Sequence, residues 1–497
     1  MHHKDIKRTI RKQLKKQFPN WNRLQKKQKK EIAREILAET VASHDFNKII
    51  DTPREELLGI EEQTLDGIIK LDEMARFIDM INENRIIKFS SYKRSPIYIK
   101  DEELAFVNGV IDDVVINRIL SYEGYRPASR DLLPAHFFRA ELLKAIKYPE
   151  ISYRKFCTDE YLGLDRKQNR VFIGLPLHKH DTIDHTQLCK FRSGLSFTQQ
   201  VNLLVYILHY FNQSGLLGDN VLHGVDSTEL ANDCRVPLAS VDINGKKIRI
   251  YNDLDCDCGK RRNKRDKSQF VIGYRLHTLT AIDAQTGLSF PLVSLLAPAN
   301  HHDRHFLPLL VRLAQAMGVE VKLVTADEAY DDKDGSLYSD TGVIVTAPPS
   351  GKVTLPKYVD RNTGAVFCHN ECSIPMVHVG TEGQCHEYKC NALPGACSPL
   401  RSCSQCRFLP MDRGLFQRIP NSVTMIQQAH DIRKNCERPF NLLKNQTGLE
   451  TIRVRSQHAT IARCTLSSIA VLLIKMAGKR KKKPRNVYRQ LQLAEVA

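Results

Sequence analysis

The sequence predicts a mixed α/β domain that follows an all-helical N-terminal region and is interrupted by a cysteine-rich insertion. Three observations carry this expectation. At about residue 219 the apolar residues stop recurring at helical spacing and take up the patterning of strands. Helical patterning returns over 425–478. In between, seven of the fourteen cysteines fall between Cys368 and Cys406, in a stretch dominated by Gly, Pro, Ser and Cys.

The N-terminal region, 1–125, is basic and helical. Residues 1–34 carry thirteen Lys or Arg against two acids. The following EIAREILAETV sets Ile32, Ile36, Leu37 and Val41 at helical spacing, so a basic helical arm or bundle is expected, with Trp21 as its packing anchor. Residues 126–215 read as short amphipathic helices with interrupting turns, from PAHFFRAELLKAIK to DHTQLCKFRSGL. A helix-turn-helix is expected here, with Thr186–Leu195 facing DNA through Gln187, Lys190 and Arg192.

The first part of the α/β core spans 219–345. VLHGVDST reads as a short buried strand entering a polar turn, and QFVIGYRLHTLTAID, AQTG and LSFPLVSLLAP as a hairpin. Asp303 is the expected N-cap of RHFLPLLVRLAQAM, which Gly318 closes. VEVKLVTADEAY is the next strand, with Val319, Val321, Leu323, Thr325 and Asp327 on one parity. Strands with interleaved helices make a mixed sheet covered by helices. The insertion occupies 346–425, the C-terminal helices of the core 426–478, and a basic tail 479–497.

Composition narrows the function classes. Lys and Arg number 74 against 56 Asp and Glu, a formal net charge of +18. That surplus is the footprint of a protein that meets a polyanion. A hydrophobic share of 42% with 26% charged residues excludes wholesale disorder. The apolar run Ile469–Ile474 is far shorter than the ~20 residues that span a bilayer, and the N-terminus has no apolar export segment, so a cytoplasmic protein without a membrane partner is expected. In such a reducing compartment, clustered cysteines indicate metal ligation before disulfides.

Three acids carry the candidate chemistry. Asp226 and Asp327 each stand where a core strand is expected to run into a turn, at the rim where α/β sheets bind ligands. The third, Glu437, lies in a helical stretch. At about 100° per residue, His430, Arg433, Glu437 and Lys444 project from one sector roughly 60° wide, beside an apolar stripe of Ile432, Cys436, Phe440 and Leu443. Pro439 predicts a kink beside Glu437.

The run His430-x2-Arg433-x3-Glu437-x6-Lys444 resembles the Y-x2-R-x3-E-x6-K signature of bacterial insertion-sequence transposases with an Asp-Asp-Glu active site, with His430 where the family usually carries Tyr. GVDST, GYRLHTLTAIDAQTG, NHHDRHFLPLL and VTADEAYDD agree with the family in the same order, and the resemblance covers roughly residues 15–475. It implies an RNase H-like catalytic domain, with Asp226, Asp327 and Glu437 as the catalytic triad holding two Mg2+ ions, for which Mn2+ substitutes. Arg433, Lys444 and His430, together with Lys190 and Arg192, would then contact DNA phosphates. The implied partners are double-stranded DNA, as transposon ends and as target, and a second copy of the chain in the synaptic complex, near the nucleoid. Water would first hydrolyse a strand at the transposon end, and the freed 3′-OH would then attack a target phosphodiester. That exchange conserves bond number and needs no nucleotide cofactor; no G-x4-G-K-[ST] loop is present. The alternatives are an RNase H-like nuclease that cuts without joining and an inactive transposase-derived DNA-binding protein. Separately, Cys403-x2-Cys406 has knuckle spacing and Cys385, Cys390 and Cys397 supply further soft ligands, so a structural Zn2+ is expected among them.

Overall fold

A computed structural model describes residues 3–42, 65–83, 99–121, 132–180, 182–213, 221–232, 234, 236–243, 246–261, 269–283, 288–301, 303–332, 335–347, 354–360, 364–369, 372–392, 405–410, 431–449 and 454–479. The principal helices are α1 (His3–Gln17), α2 (Lys26–Ala42), α3 (Met74–Glu83), α4 (Glu102–Val110), α5 (Asp113–Ser121), α6 (Pro134–Lys147), α7 (His185–Gly194), α8 (Phe197–Gln213), α9 (Leu307–Ala316) and α10 (Gln457–Lys479). The strands are β1 (Val221–Ala231), β2 (Ala239–Ile243), β3 (Lys246–Ile250), β4 (Asp257–Arg261), β5 (Gln269–Asp283), β6 (Ser289–Pro298), β7 (Leu323–Thr325), β8 (Ile344–Thr346), β9 (Val377–Glu382), β10 (Cys385–Lys389) and β11 (Cys406–Pro410).

The expected hairpin forms as β5 and β6, and its turn AQTG lies outside the described residues. β6 is buried along its whole length, which explains its unbroken apolar run: helices cover both faces. β1 pairs antiparallel with β5 over its full eleven residues. β7 then joins β1 in parallel, and β8 joins β7 in parallel, each return being made through a helix. The order is β6-β5-β1-β7-β8, with β4 sharing the outer edge of β5 with β6. This is a mixed α/β sheet. α9 begins only at Leu307, so Asp303 does not cap it. Asp303 instead opens a short 3-10 turn, and Arg275 donates to both of its carboxylate oxygens, at 2.9 and 3.1 Å.

The helical region packs directly onto this sheet. One apolar core runs from Ile68 through α6, α7 and α8 into β1, β5, β6 and α9, and on to Met476. Its centre is α10, which meets β6, α8, α6 and α7. Among the described residues α10 is the one helix long and apolar enough to cross a membrane, and 78% of that stretch is buried inside the protein, as a core helix is. The basic N-terminal segment folds as the hairpin α1/α2 around buried Trp21 and docks on β2 and β3. Part of its charge is used internally: Lys15 pairs with Asp255 at 2.8 Å, Arg11 donates to the Cys256 carbonyl at 3.0 Å, and buried Lys29 donates to Asn252 at 2.9 Å.

α7 occupies the expected DNA-facing stretch, but its chemistry points inward. Asp184 caps it, and Gln187 closes the capping box from the third turn position. Arg192 was expected at a DNA phosphate. It is instead buried against fully buried Glu141, which also accepts a hydrogen bond from the Tyr153 hydroxyl at 2.7 Å. Leu188 and Phe191 share that buried face, so Arg192, one residue further along, is carried inward with them. Lys190 is exposed.

Removing one partner of a buried ion pair leaves an uncompensated charge. Arg192→Ala should therefore lower stability by about 3–5 kcal/mol in urea unfolding, whereas Lys190→Ala should change it by less than about 0.5 kcal/mol.

Candidate active site

The two aspartates are brought together by strand register. β1 and β7 pair at His223↔Val324 and Gly224↔Thr325, so two residues further on Asp226 stands beside Asp327. Asp226 does not end its strand as the sequence suggested. β1 continues along β5 to Ala231, and what stops at Gly224 is the pairing with β7. The sheet therefore opens beside Asp226 on one edge only. Its Oδ1 accepts the Ser227 N–H at 2.7 Å. Asp327 caps the 3-10 turn Glu328–Tyr330 and accepts the Ala329 N–H at 3.0 Å.

Glu437 arrives on the helical segment 431–446, which is seated on the sheet by its apolar stripe. Ile432 and Cys436 pack against Leu222 and Ile282 in a separate apolar cluster. Leu222, Gly224 and Asp226 alternate onto one face of β1. Gly224 is the point of closest approach: a Cβ there would overlap the Cys436 sulfur and stand 3.2 Å from the Thr325 methyl. Burial pushes the Cys436 thiol up to about 12, so it serves as a packing group. Phe440 and Leu443 enter another core, with Leu276, Leu296 and the α10 residues Ile461, Cys464 and Val471. The segment is not a uniform α-helix. A 3-10 turn over Lys434–Cys436 precedes Glu437, and a π turn over Leu442–Gln446 follows Pro439, which has no N–H to donate. The angular sector drawn for a straight helix is therefore altered on both sides of Glu437: the 3-10 turn separates it from Arg433, and half-buried Lys444 lies within the π turn. His430 lies outside the described residues.

Electrostatics tie these groups together. Burial, followed by the charges of Asp327 and Glu437, raises the Asp226 carboxyl to about 6, while Arg433 acts in the opposite sense. Asp327 is also raised, by burial and then by Asp303, and Arg433 again opposes the shift. Glu437 is exposed and Arg433 half-buried. The site thus gathers three carboxylates around one guanidinium at the mouth of the sheet.

A polar group that the sequence reading did not anticipate backs this site. On the other face of β1, Glu229 and Ser227 stand opposite Arg275 and His277 of β5. Arg275 bridges Asp303 and Glu229, the latter at 3.2 Å. His277 is fully buried, stacks on Phe306 at 3.9 Å and lies 3.3 Å from the Tyr330 hydroxyl. The available signal was the R-x-H alternation inside the apolar run GYRLHTL, since a strand in a core does not carry two cations on one face without partners.

The expected zinc ligands are not one cluster. Across β10 and β11, Cys385 pairs with Pro410 while Lys389 pairs with Cys406. Cys385 and Cys406 are thus about 13 Å apart along the ladder, whereas two sulfurs at ~2.3 Å from one zinc lie within about 4.6 Å of each other. Cys390 shares the Cys406 end, its N–H donating to the Gln405 carbonyl at 3.0 Å. Cys397 and Cys403 lie outside the described residues. The soft donors that do converge are Cys368, His369 and Cys372, whose ligand atoms lie within 4.8 Å of one another.

The raised carboxyl of Asp226 makes a signed prediction. Its ordinary value is 3.8, so folding favours the protonated form, and stability is lost as pH rises from there through about 6. Without divalent cations, Asp226→Asn should be more stable than the parent at pH 7.5, by up to about 3 kcal/mol, and the difference should vanish below about pH 4. Urea unfolding at both pH values measures it, and Mg2+ should raise the melting temperature of the parent more than that of the variant. Compared with protein-family models and with curated proteins, the chain matches none.

Proposed function

We propose that this chain is a transposase of the Asp-Asp-Glu type, which binds the ends of its insertion sequence and catalyses metal-dependent DNA cleavage and strand transfer. The observation that carries the reading is that Asp226, Asp327 and Glu437 share one electrostatic neighbourhood with Arg433, although consecutive acids lie 101 and 110 residues apart in sequence. The strand order β6-β5-β1-β7-β8, with β5 antiparallel and β7 and β8 parallel to β1, supports an RNase H-like assignment for the domain.

The residues fit divalent cations. Three oxygen donors share a partly buried opening, and burial, followed by the charges of the other two, already lifts Asp226 to about 6. A pair of Mg2+ ions would supply Lewis-acid activation of an attacking oxygen and neutralise charge on the phosphate. The protein's own groups do the rest. Asp226 and Asp327 are held by backbone N–H donors, so their oxygens are aimed before DNA arrives. Glu437, being exposed, can meet a duplex without rearrangement of the sheet. Arg433 offers a planar fork to the phosphate beside the scissile bond, and Lys444 a point charge. Exposed Lys12, Lys16, Lys26, Lys27 and Arg34 on the N-terminal hairpin, with Lys190 on α7, add sequence-independent attraction to the backbone. In this reading the protein works as a homodimer near the nucleoid, in the cytoplasm.

Asp226→Asn, Asp327→Asn and Glu437→Gln should each reduce Mg2+-dependent nicking of DNA flanking the coding sequence on the order of 10⁴-fold. Duplex binding in Ca2+ should stay within a few-fold. Arg433→Ala should cost roughly 10- to 150-fold in strand transfer, the value of one charge-assisted hydrogen bond. Undiminished nicking by any acid variant removes that residue from the catalytic set. Nicking without joining of a labelled 3′-OH end would favour the nuclease.

A further inference from the structure

Among its described residues the cysteine-rich insertion buries a small apolar core: Val359, Val366, Cys368, Met376, Tyr388 and Leu409, under the three short strands β9, β10 and β11. Its other face leaves Val377, Val379 and Phe408 exposed, at 47%, 48% and 44%. A sheet of this size, with so few buried side chains, needs a staple such as a disulfide or a metal. No pair of its described cysteines forms a disulfide.

We propose that Cys368, His369 and Cys372 bind a structural zinc ion that staples the insertion. Their three ligand atoms already lie within 4.8 Å of one another. The chain doubles back between the bridges Val359↔Val366 and Phe367↔Pro375, and the Cys372 N–H donates to the His369 carbonyl at 3.2 Å. The Cys372 sulfur thereby comes within 4.8 Å of the other two ligand atoms. The backbone of Cys368 is fixed independently: the Arg407 side chain donates to its carbonyl, at 2.9 Å from Nε, while the guanidinium lies over the Tyr358 ring at 4.6 Å. Such outer contacts orient a ligand before the metal arrives. Two thiolates and an imidazole are soft to borderline donors, which suit Zn2+ and not Mg2+, so this site and the carboxylate site take different metals by donor chemistry alone. The three groups supply three of four tetrahedral positions. Binding by two thiols releases two protons, so affinity falls as pH is lowered. The proposal is independent of the catalytic reading.

The test uses the full chain, with zinc as the probe. Metal analysis of folded protein should find about one equivalent, retained in Cys385→Ser and lost in Cys372→Ser and His369→Ala. Loading with Co2+ should give the visible bands of a tetrahedral site and a thiolate charge-transfer band that is lost in Cys372→Ser and persists in Cys385→Ser. On the unmodified chain, half-buried Cys372 should resist alkylation with zinc present and react after chelation, whereas half-buried Cys385 should react in both states. Folded protein with less than half an equivalent of zinc overturns the proposal. So does metal that survives Cys372→Ser but leaves with Cys385→Ser, or alkylation of Cys372 unaffected by chelation.

Discussion

The contact between Gly224 and Cys436 makes one site out of three distant stretches of chain. Glu437 follows Cys436 directly, and Asp226 lies two residues beyond Gly224 on the same strand face. With no side chain at 224, the sulfur sits against the backbone of β1, and the helical segment approaches as closely as two elements can. A methyl group there would push the helix outward and carry Glu437 away from both aspartates. The same contact explains the segment's irregular winding. Its apolar stripe must reach Leu222 and Ile282 at one end and Leu276 and Leu296 at the other, and a regular helix containing Pro439 would not satisfy both.

Around that contact the protein separates its charges by depth. The deep ones are matched: Arg192 with Glu141, Arg139 with Asp113 at 2.6 Å, and Arg275 with Asp303 and Glu229. Desolvation makes an unmatched charge costly, so each of these three guanidiniums is held against a carboxylate. At the mouth of the sheet the balance is broken deliberately, with three acids facing Arg433. Under the proposed function, that surplus of negative charge would hold the cations, and the basic surface would draw in the polyanion that shares them.

The net charge of +18 is accordingly a poor guide to which residues touch a partner. Several of the most suggestive cations are structural. Arg170 is buried and donates to the carbonyls of Leu162, Pro176 and Lys179, closing a turn that no side chain of another type could reach at three points. Lys29 and Arg11 brace the loop after β3. Among the described residues, the cations exposed on the N-terminal hairpin and on α7 are among those still open to a polyanion.

Local pattern alone was enough for the α/β class, the β5/β6 hairpin, and a basic helical N-terminal segment with Trp21 as its packing anchor. Each of these depends on neighbours within a few positions: periodicity, a turn, a run of like charges. The sequence did not reveal that α7 turns Arg192 inward, that Asp303 binds Arg275 and does not cap a helix, or that Cys385 stands at the far end of its ladder from Cys406. Nor did it reveal that the convergent soft donors are Cys368, His369 and Cys372. In the first three cases the partner lies 21 or more residues away, and burial or strand register chooses it; Cys368, His369 and Cys372 are neighbours in sequence, and what the fold adds is the turn that brings their ligand atoms together. A strand pattern fixes which face a residue occupies. Only pairing with β5, β7, β10 or β11 fixes what stands opposite, because a shift of one residue in register would exchange every partner.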